Sequence, residues 1–294
     1  MHLSKQTLVI VLVLALISGL FLAWVLVKPQ RPIAIVSALP DELQRIRGEM
    51  SSEREVQVAH WTFYEGELYG ERVVVTSCGR GKVNAAAATS LLIELFEPRA
   101  IISISTSGAL GDCEIGDVVI SLQAAQHDHG ETIPIGGLPG VLYPDTTDYG
   151  RGFIPSPVQL WTENDRQLVT YFEADNELVG LALQAGEQVE FRQVPMLDRT
   201  PIVKAGTVLS GDQFIASSQK RDWLSRTFDN ASAVDMEGAA MAQVAYLHGM
   251  PWVLVRCNSD RADENAYADI DTFSDYAENN ATALVLKMVE IWTG

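Results

Sequence analysis

The sequence predicts a single α/β domain, a three-layer α/β/α arrangement around a mixed central β-sheet, preceded by one N-terminal transmembrane helix. Short continuous apolar runs such as Ile33-Ala34-Ile35-Val36 and Trp252-Val253-Leu254-Val255 have the pattern of strands buried on both faces. Helical patterns lie between several of these runs, the alternation expected when helices cover a sheet on both sides. The third feature is the stretch from Thr7 to Val27, TLVIVLVLALISGLFLAWVLV, which carries no charge.

That stretch is flanked by Lys5 and Lys28. Roughly 17–25 apolar residues span a bilayer as a helix, whereas the apolar region of a cleaved signal peptide runs to about 7–15. No lipobox cysteine is present, and Ala23-Trp24-Val25 makes a poor small-x-small cleavage site. Residues 1–28 are therefore expected to be an uncleaved membrane anchor, with a long signal peptide as the alternative. Positive charge is similar on the two flanks and assigns no orientation. An extracytoplasmic catalytic domain is expected only because single N-terminal anchors so often export the domain attached to them.

Residues 29–32 read as a linker and 33–294 as one domain. Further buried strands are expected at Val73-Val74-Val75, Ala100-Ile101-Ile102, Val118-Val119-Ile120 and Val203 to Leu209, and a short antiparallel portion near Val56 to Tyr64. Helices are expected at Val83 to Glu94, Arg166 to Gln184, Gly238 to His248 and Asp275 to Trp292. The segment from His127 to Pro157, rich in Gly, Pro and Asp, reads as a long surface excursion near a site.

Charge narrows the partners. The balance of 21 basic and 38 acidic residues gives −17, which repels phosphate backbones and disfavours nucleic acid. Cys78, Cys113 and Cys257 are odd in number and have no paired metal-ligand spacing, so neither a disulfide framework nor a zinc site is expected. His127-Asp128-His129 offers two histidines without further converging ligands, and no metal is assigned.

Four stretches carry acids or glycines where a strand ends. In Ser37-Ala38-Leu39-Pro40-Asp41-Glu42-Leu43, Pro40 at a helix start and acids in its first turn already suit the macrodipole. The end of a central strand is also where α/β proteins hold ligands, so Glu42 fits both accounts. Ser77-Cys78-Gly79-Arg80-Gly81-Lys82 could expose N–H groups to an anion or be a tight turn, and it matches neither the dinucleotide fingerprint nor the P-loop. In Ala233-Val234-Asp235-Met236-Glu237-Gly238-Ala239, Asp235 can cap the following helix. Glu237 has little polar company, and an unpartnered buried carboxylate costs several kcal/mol. A ligand's hydroxyl groups are a candidate partner. Val255-Arg256-Cys257-Asn258-Ser259-Asp260 is either a polar loop or a strand end delivering an arginine and an acid to a pocket.

Together, SALPDEL, SCGRGKVNAAAATS, STSGAL with IGDVVI, LSGDQFIA, VDMEGAAMAQVA and VLVRCNSDRAD resemble, in order and spacing, the nucleoside phosphorylase/nucleosidase superfamily, within it the bacterial 5′-methylthioadenosine/S-adenosylhomocysteine nucleosidases. The likeness runs from about Ile33 to the C-terminus, with a looser middle from His127 to Pro201. It implies hydrolysis of an N-glycosidic bond with release of adenine: Asp260 as general acid at adenine N7, Glu42 activating water and Glu237 binding the ribose hydroxyls. It also implies Met236 packed on the sugar, Phe214 and Ile215 at adenine, and Thr106, Ser107, Arg256 and Ser259 lining or orienting the site. No cofactor and a homodimer are implied.

Two alternatives stay open, a phosphorylase and a catalytically silent nucleoside receptor. Phosphorylases of the superfamily carry an arginine where this chain has Ser103, although Arg80 could reach the region. Glu42 beside the nucleophile would repel a phosphate dianion and assist water.

Overall fold

The computed structural model describes residues 30–134, 152–161, 165–195 and 197–292. The expected anchor lies outside them. Among the described residues no helix is long and apolar enough to cross a membrane. Pro32–Gly294 make up one compact unit.

The strands are Ile33–Ser37 (β1), Ser51–Val58 (β2), Trp61–Leu68 (β3), Glu71–Ser77 (β4), Ala100–Ala109 (β5), Val118–Gln126 (β6), Gly130–Thr132 (β7), Phe153–Pro155 (β8), Val158–Trp161 (β9), Arg166–Val169 (β10), Phe172–Glu173 (β11), Val203–Ser210 (β12), Ala231–Asp235 (β13) and Trp252–Asp260 (β14). Among the described residues the main sheet has the order β11-β6-β12-β13-β5-β1-β4-β3-β2, with β14 added beside both β5 and β6. The sheet is mixed, as expected. β1 runs parallel to β4 and β5, and β2-β3-β4 is an antiparallel meander.

β14 governs the architecture. It pairs parallel with β5 from Trp252 opposite Ile101 to Asp260 opposite Gly108, and antiparallel with β6 at Val255–Cys257. Because β6 also pairs with β12, β12 with β13, and β13 with β5, the five strands close a circuit. Closure bends a sheet and brings strand ends together, so the ends of β5, β13 and β14 face one another. All nine residues of β14 are buried. This is why its sequence is continuously apolar until the polar end that serves the site.

The helices are Gln44–Glu49 (α1), Lys82–Phe96 (α2), Asn176–Gly186 (α3), Ser218–Thr227 (α4), Gly238–Leu247 (α5) and Ala266–Ile291 (α6), with a 3-10 turn at Asp41–Leu43. The helix expected over Arg166 to Gln184 is only half right. Arg166–Val169 pairs antiparallel with β9, Phe172–Glu173 joins the edge of β6, and the helix starts at Asn176. Asp175 stops it running back: its carboxylate accepts hydrogen bonds from the Glu177 and Leu178 N–H groups, an N-cap that the apolar spacing hides. Helix α6 begins nine residues earlier than expected, and α4 was not anticipated.

Of the excursion at His127–Pro157, the two described ends pair as the antiparallel ribbon β7–β8, and residues 135–151 lie outside the described residues. The main apolar core fills both faces of the sheet, from Ile33, Ile35 and Val75 to Leu254 and Leu284. A smaller cluster of Leu110, Ile215, Trp223 and Leu224 sits under α4. The three cysteines are free thiols, with Cys78 and Cys257 buried.

Candidate active site

The strand ends enclose a cavity of about 290 Å³. Its floor is buried and rich in carboxylates: Glu42, Glu237 and Asp260 are each at most 4% exposed. A larger open depression by Glu187–Phe191 and Pro201–Val203 brings no comparable set of buried acids together.

Glu42 stands in the short 3-10 turn after β1. Its Oε2 accepts from the N–H groups of Ala38 (3.0 Å) and Leu39 (2.9 Å), and its Oε1 from the Ser105 hydroxyl (2.6 Å) and the Thr106 N–H (3.0 Å). A turn that folds back on its own N–H groups is what fixes this acid. Both oxygens are acceptors, the role an ionised carboxylate fills. Of the four donors only the Ser105 hydroxyl can rotate away without moving backbone, freeing a lone pair toward the cavity.

Ser105 was not singled out from the sequence, and a signal for it exists. On buried β5, Ser103, Ser105 and Ser107 recur every second residue and so share a face. Each has a job: Ser103 receives Arg256, Ser105 donates to Glu42, and Ser107 donates to Asn258 Oδ1.

Asp260 ends β14. Its Oδ1 accepts from the Ala262 N–H (2.8 Å) and its Oδ2 from the Ser259 hydroxyl (3.1 Å). Burial pushes its carboxyl up to about 6, against the pull of those two donors. Gly108 is required beside it, since a Cβ there would lie 3.0 Å from Asp260 Oδ1 and from Ala262.

Glu237 follows β13 and precedes α5. Its Oε1 accepts from the Gly81 N–H at 2.7 Å, and its Oε2 weakly from the Met236 N–H. Gly81 has φ +95°, a left-handed conformation that L side chains rarely adopt, and this turn aims its N–H at Glu237. Burial pushes the Glu237 carboxyl up to about 7, with Asp235 adding to the rise and the Gly81 N–H and Arg256 opposing it.

Asp235 does cap, as the sequence suggests, accepting from the Gly238 N–H at 3.1 Å. It also forms a buried ion pair with Arg256, Nε to Oδ2 2.6 Å, and accepts from the Ser210 hydroxyl. The remaining Arg256 nitrogens donate to the Ser103 and Val255 carbonyls and the Ser103 hydroxyl. Arg256 is fully buried and does not line the cavity; it orients the acid beneath Glu237. Ile215 likewise stays in the smaller apolar cluster and off the cavity wall.

Thr106, Ser107, Phe214, Met236 and Ser259 do line the cavity. Phe214 is 37% exposed and leans on Tyr267, ring centroids 4.8 Å apart, at the mouth. Tyr267, Ile270 and Asp271 join the lining because α6 starts at Ala266, and the later helix start expected from the sequence concealed them. His127 and His129 do not converge: His127 is fully buried, while His129 Nδ1 is 2.9 Å from the Ser156 carbonyl. Among the described residues no group of three or more His, Cys, Asp or Glu could hold a metal ion.

Closed strand ends that deliver three buried acids to one nucleoside-sized cavity define an α/β enzyme working on a small molecule by acid–base chemistry. The chain belongs to the phosphorylase superfamily, which it matches over residues 32–290. It is 32% identical to the 5′-methylthioadenosine/S-adenosylhomocysteine nucleosidase of Staphylococcus carnosus over 259 residues, 88% of this chain and 99% of that one. Among solved structures it is similar to the nucleosidase of the same name from Neisseria meningitidis in complex with methylthio-immucillin-A, with TM-score 0.70, 29% identity, and coverage of 89% of this chain and 100% of the other. The native futalosine hydrolase of Helicobacter pylori superimposes with TM-score 0.68 at 25% identity, covering 89% and 98%.

Proposed function

We propose that this protein hydrolyses the N-glycosidic bond of adenosine-type nucleosides of the methylthioadenosine/S-adenosylhomocysteine class, releasing adenine. The observation that carries the reading is the convergence of Glu42, Glu237 and Asp260, from three separate strand ends, on one cavity. Each acid has a distinct environment, which is how carboxylates divide acid and base work.

Asp260, raised by burial, keeps its proton into the range where it can be given to adenine N7. As the C1′–N9 bond breaks, its electron pair leaves with the protonated base and the ribosyl ring becomes oxocarbenium-like. Water adds to C1′ and its proton passes to Glu42, whose Ser105 donor swings aside. Glu237 accepts from the ribose hydroxyls, a contact that tightens as the ring gains positive charge. Met236 packs on the sugar and Phe214 against the base. A receptor would have no use for the Glu42 arrangement, and the five carboxylates lining the cavity disfavour a phosphate dianion.

Adenine and free thioribose are therefore expected from methylthioadenosine without phosphate, with kcat for Glu42→Gln lower by about 10²–10⁴-fold. Sugar 1-phosphate formed only with phosphate would make the protein a phosphorylase instead. Tight nucleoside binding without any adenine release would make it a receptor.

The resemblance and the uncharged Thr7–Val27 run support a homodimer tethered to the membrane with its catalytic domain extracytoplasmic. Detergent-solubilised full-length protein is expected at twice the chain mass of 32.2 kDa by light scattering. Protease added to intact cells is expected to remove the activity; protection of the activity would reverse the sidedness.

A further inference from the structure

Six charged side chains line the cavity: Glu42, Asp235, Glu237, Asp260, Asp271 and Arg80. Four of the acids are buried and each accepts hydrogen bonds from the protein. Arg80 and Asp271 differ in both respects. They are exposed at the mouth, and among the described residues neither side chain has a hydrogen bond or an ion pair. Although opposite in charge and on the same cavity, they do not pair with each other. The gap between them suits a ligand group that carries both charges.

Their position follows from the chain. Arg80 lies in the turn after β4, one residue before Gly81, whose N–H holds Glu237. If Glu237 holds the ribose hydroxyls, the ring carbon next to the one bearing the 3′ hydroxyl carries the 5′ substituent. That substituent leaves the ring on the Glu237 side, away from the base at Asp260. The lining residues available there are Arg80 and, on the first two turns of α6, Ile270 and Asp271. Ile270 offers an apolar wall for a thioether, and the two free charges stand beyond it at the solvent edge.

We propose that Arg80 and Asp271 are specificity-determining residues that recognise a zwitterionic α-amino acid at the end of the 5′ substituent, Arg80 taking its carboxylate and Asp271 its ammonium. The assignment rests on the nucleosidase reading above and deepens it. Arg80 is the one cation among the described lining residues, so a carboxylate entering a cavity with five acids has this partner alone. A guanidinium also fits a carboxylate by two parallel hydrogen bonds, which a lysine would not supply. The neutral methylthio group makes no demand on either charge. The structure therefore assigns S-adenosylhomocysteine-type nucleosides as the preferred class over methylthioadenosine.

The test compares kcat/KM for adenine release from S-adenosylhomocysteine and from methylthioadenosine, with the full-length protein and with Arg80→Met, Asp271→Asn and the double variant. Arg80→Met is expected to lower the S-adenosylhomocysteine to methylthioadenosine ratio about tenfold, the loss of one charge-assisted contact, through KM with kcat held. Asp271→Asn should lower it severalfold, and both effects should shrink at high salt. An S-adenosylhomocysteine analogue lacking only the ammonium should remain sensitive to Arg80→Met and become indifferent to Asp271→Asn. A ratio unchanged in both single variants overturns the proposal, as does an equal loss for both substrates. If methylthioadenosine is cleaved without phosphate and the ratio is flat, the reaction assigned above stands and this inference falls. If the wild-type protein cleaves neither nucleoside, the nucleosidase reading fails and takes this inference with it.

Discussion

Asp260→Asn is expected to lower kcat by about 10²–10⁴-fold, the usual worth of a positioned general acid, while raising stability at alkaline pH. Asparagine keeps the shape and can still accept from the Ala262 N–H and the Ser259 hydroxyl, so the loss would report the missing proton. The stability arm follows from linkage. The native carboxyl is raised from 3.8 to about 6 because burial disfavours its charged form. Between about pH 4 and 6 the native state binds more protons than the unfolded chain, so this group's contribution falls as pH rises through that window and stays at its low level above it. A neutral amide is spared that cost. The variant should therefore be more stable than wild type at pH 8, by on the order of 1–3 kcal/mol, with the difference shrinking toward pH 4. Denaturant titrations at pH 4.5 and pH 8 measure it. The wild-type kcat/KM profile should fall as pH rises through about 6, with the slope of one proton, and the residual activity of Asp260→Asn should lack that limb. A variant as active as wild type, or one with an unchanged alkaline limb, would remove Asp260 from the role of acid.

The opposed signs of those two arms mark a general property of this cavity. Glu237 is also raised by burial, to about 7, and it sits where a ribose would bring hydroxyl donors. The free protein holds acids in positions that solvent would not favour, and a bound nucleoside supplies what the protein withholds. This explains why Glu237 was conspicuous in the sequence: apolar neighbours in Met236-Glu237-Gly238-Ala239 announce an acid whose partner comes from elsewhere. The buried strands were legible for the related reason that Ile33-Ala34-Ile35-Val36 or Trp252-Val253-Leu254-Val255 can be satisfied only inside a covered sheet.

Other features depend on contacts that no local pattern encodes. β14 closes the strand circuit by pairing with β5 on one edge and β6 on the other, and nothing in its nine residues states that it has two partners. Arg166 to Gln184 reads as helix because apolar residues recur through it, whereas Arg166–Val169 gains more from a neighbouring strand than from helical hydrogen bonds that Asp175 interrupts. The cavity mouth was obscured likewise: Tyr267, Ile270 and Asp271 enter the lining because α6 starts as soon as β14 has turned, and the weakly apolar first turns of that helix hide its beginning. Arg256 was singled out on resemblance as a site residue, yet its partner Asp235 is 21 residues away and only the folded chain reveals the pair.

That pair carries the second large expectation. Arg256→Met should destabilise the protein by about 3–5 kcal/mol, the usual penalty for leaving one member of a buried ion pair without the other. For a domain of this size this corresponds to a fall in Tm on the order of 10 °C. The exposure is zero for Arg256 and 7% for Asp235, so water cannot replace the lost guanidinium. Methionine fills much of the volume, which separates the loss of charge from the opening of a cavity. Removing the second charge supplies the control. Asp235→Asn on its own strands a buried guanidinium, but in the Arg256→Met background it removes a stranded carboxylate. The double variant should regain part of the stability and show strong coupling in a thermodynamic cycle. Asparagine can still accept from the Gly238 N–H and the Ser210 hydroxyl, so the start of α5 need not unravel. Glu237 comes directly after that segment, and its hold on Gly81 depends on the same backbone. Activity in the double variant should therefore recover less than stability does. Additive effects of the two substitutions would mean that the ion pair contributes no more than two separate polar contacts, and that the hydrogen bonds from Ser210 and Gly238 are what hold the base of the site.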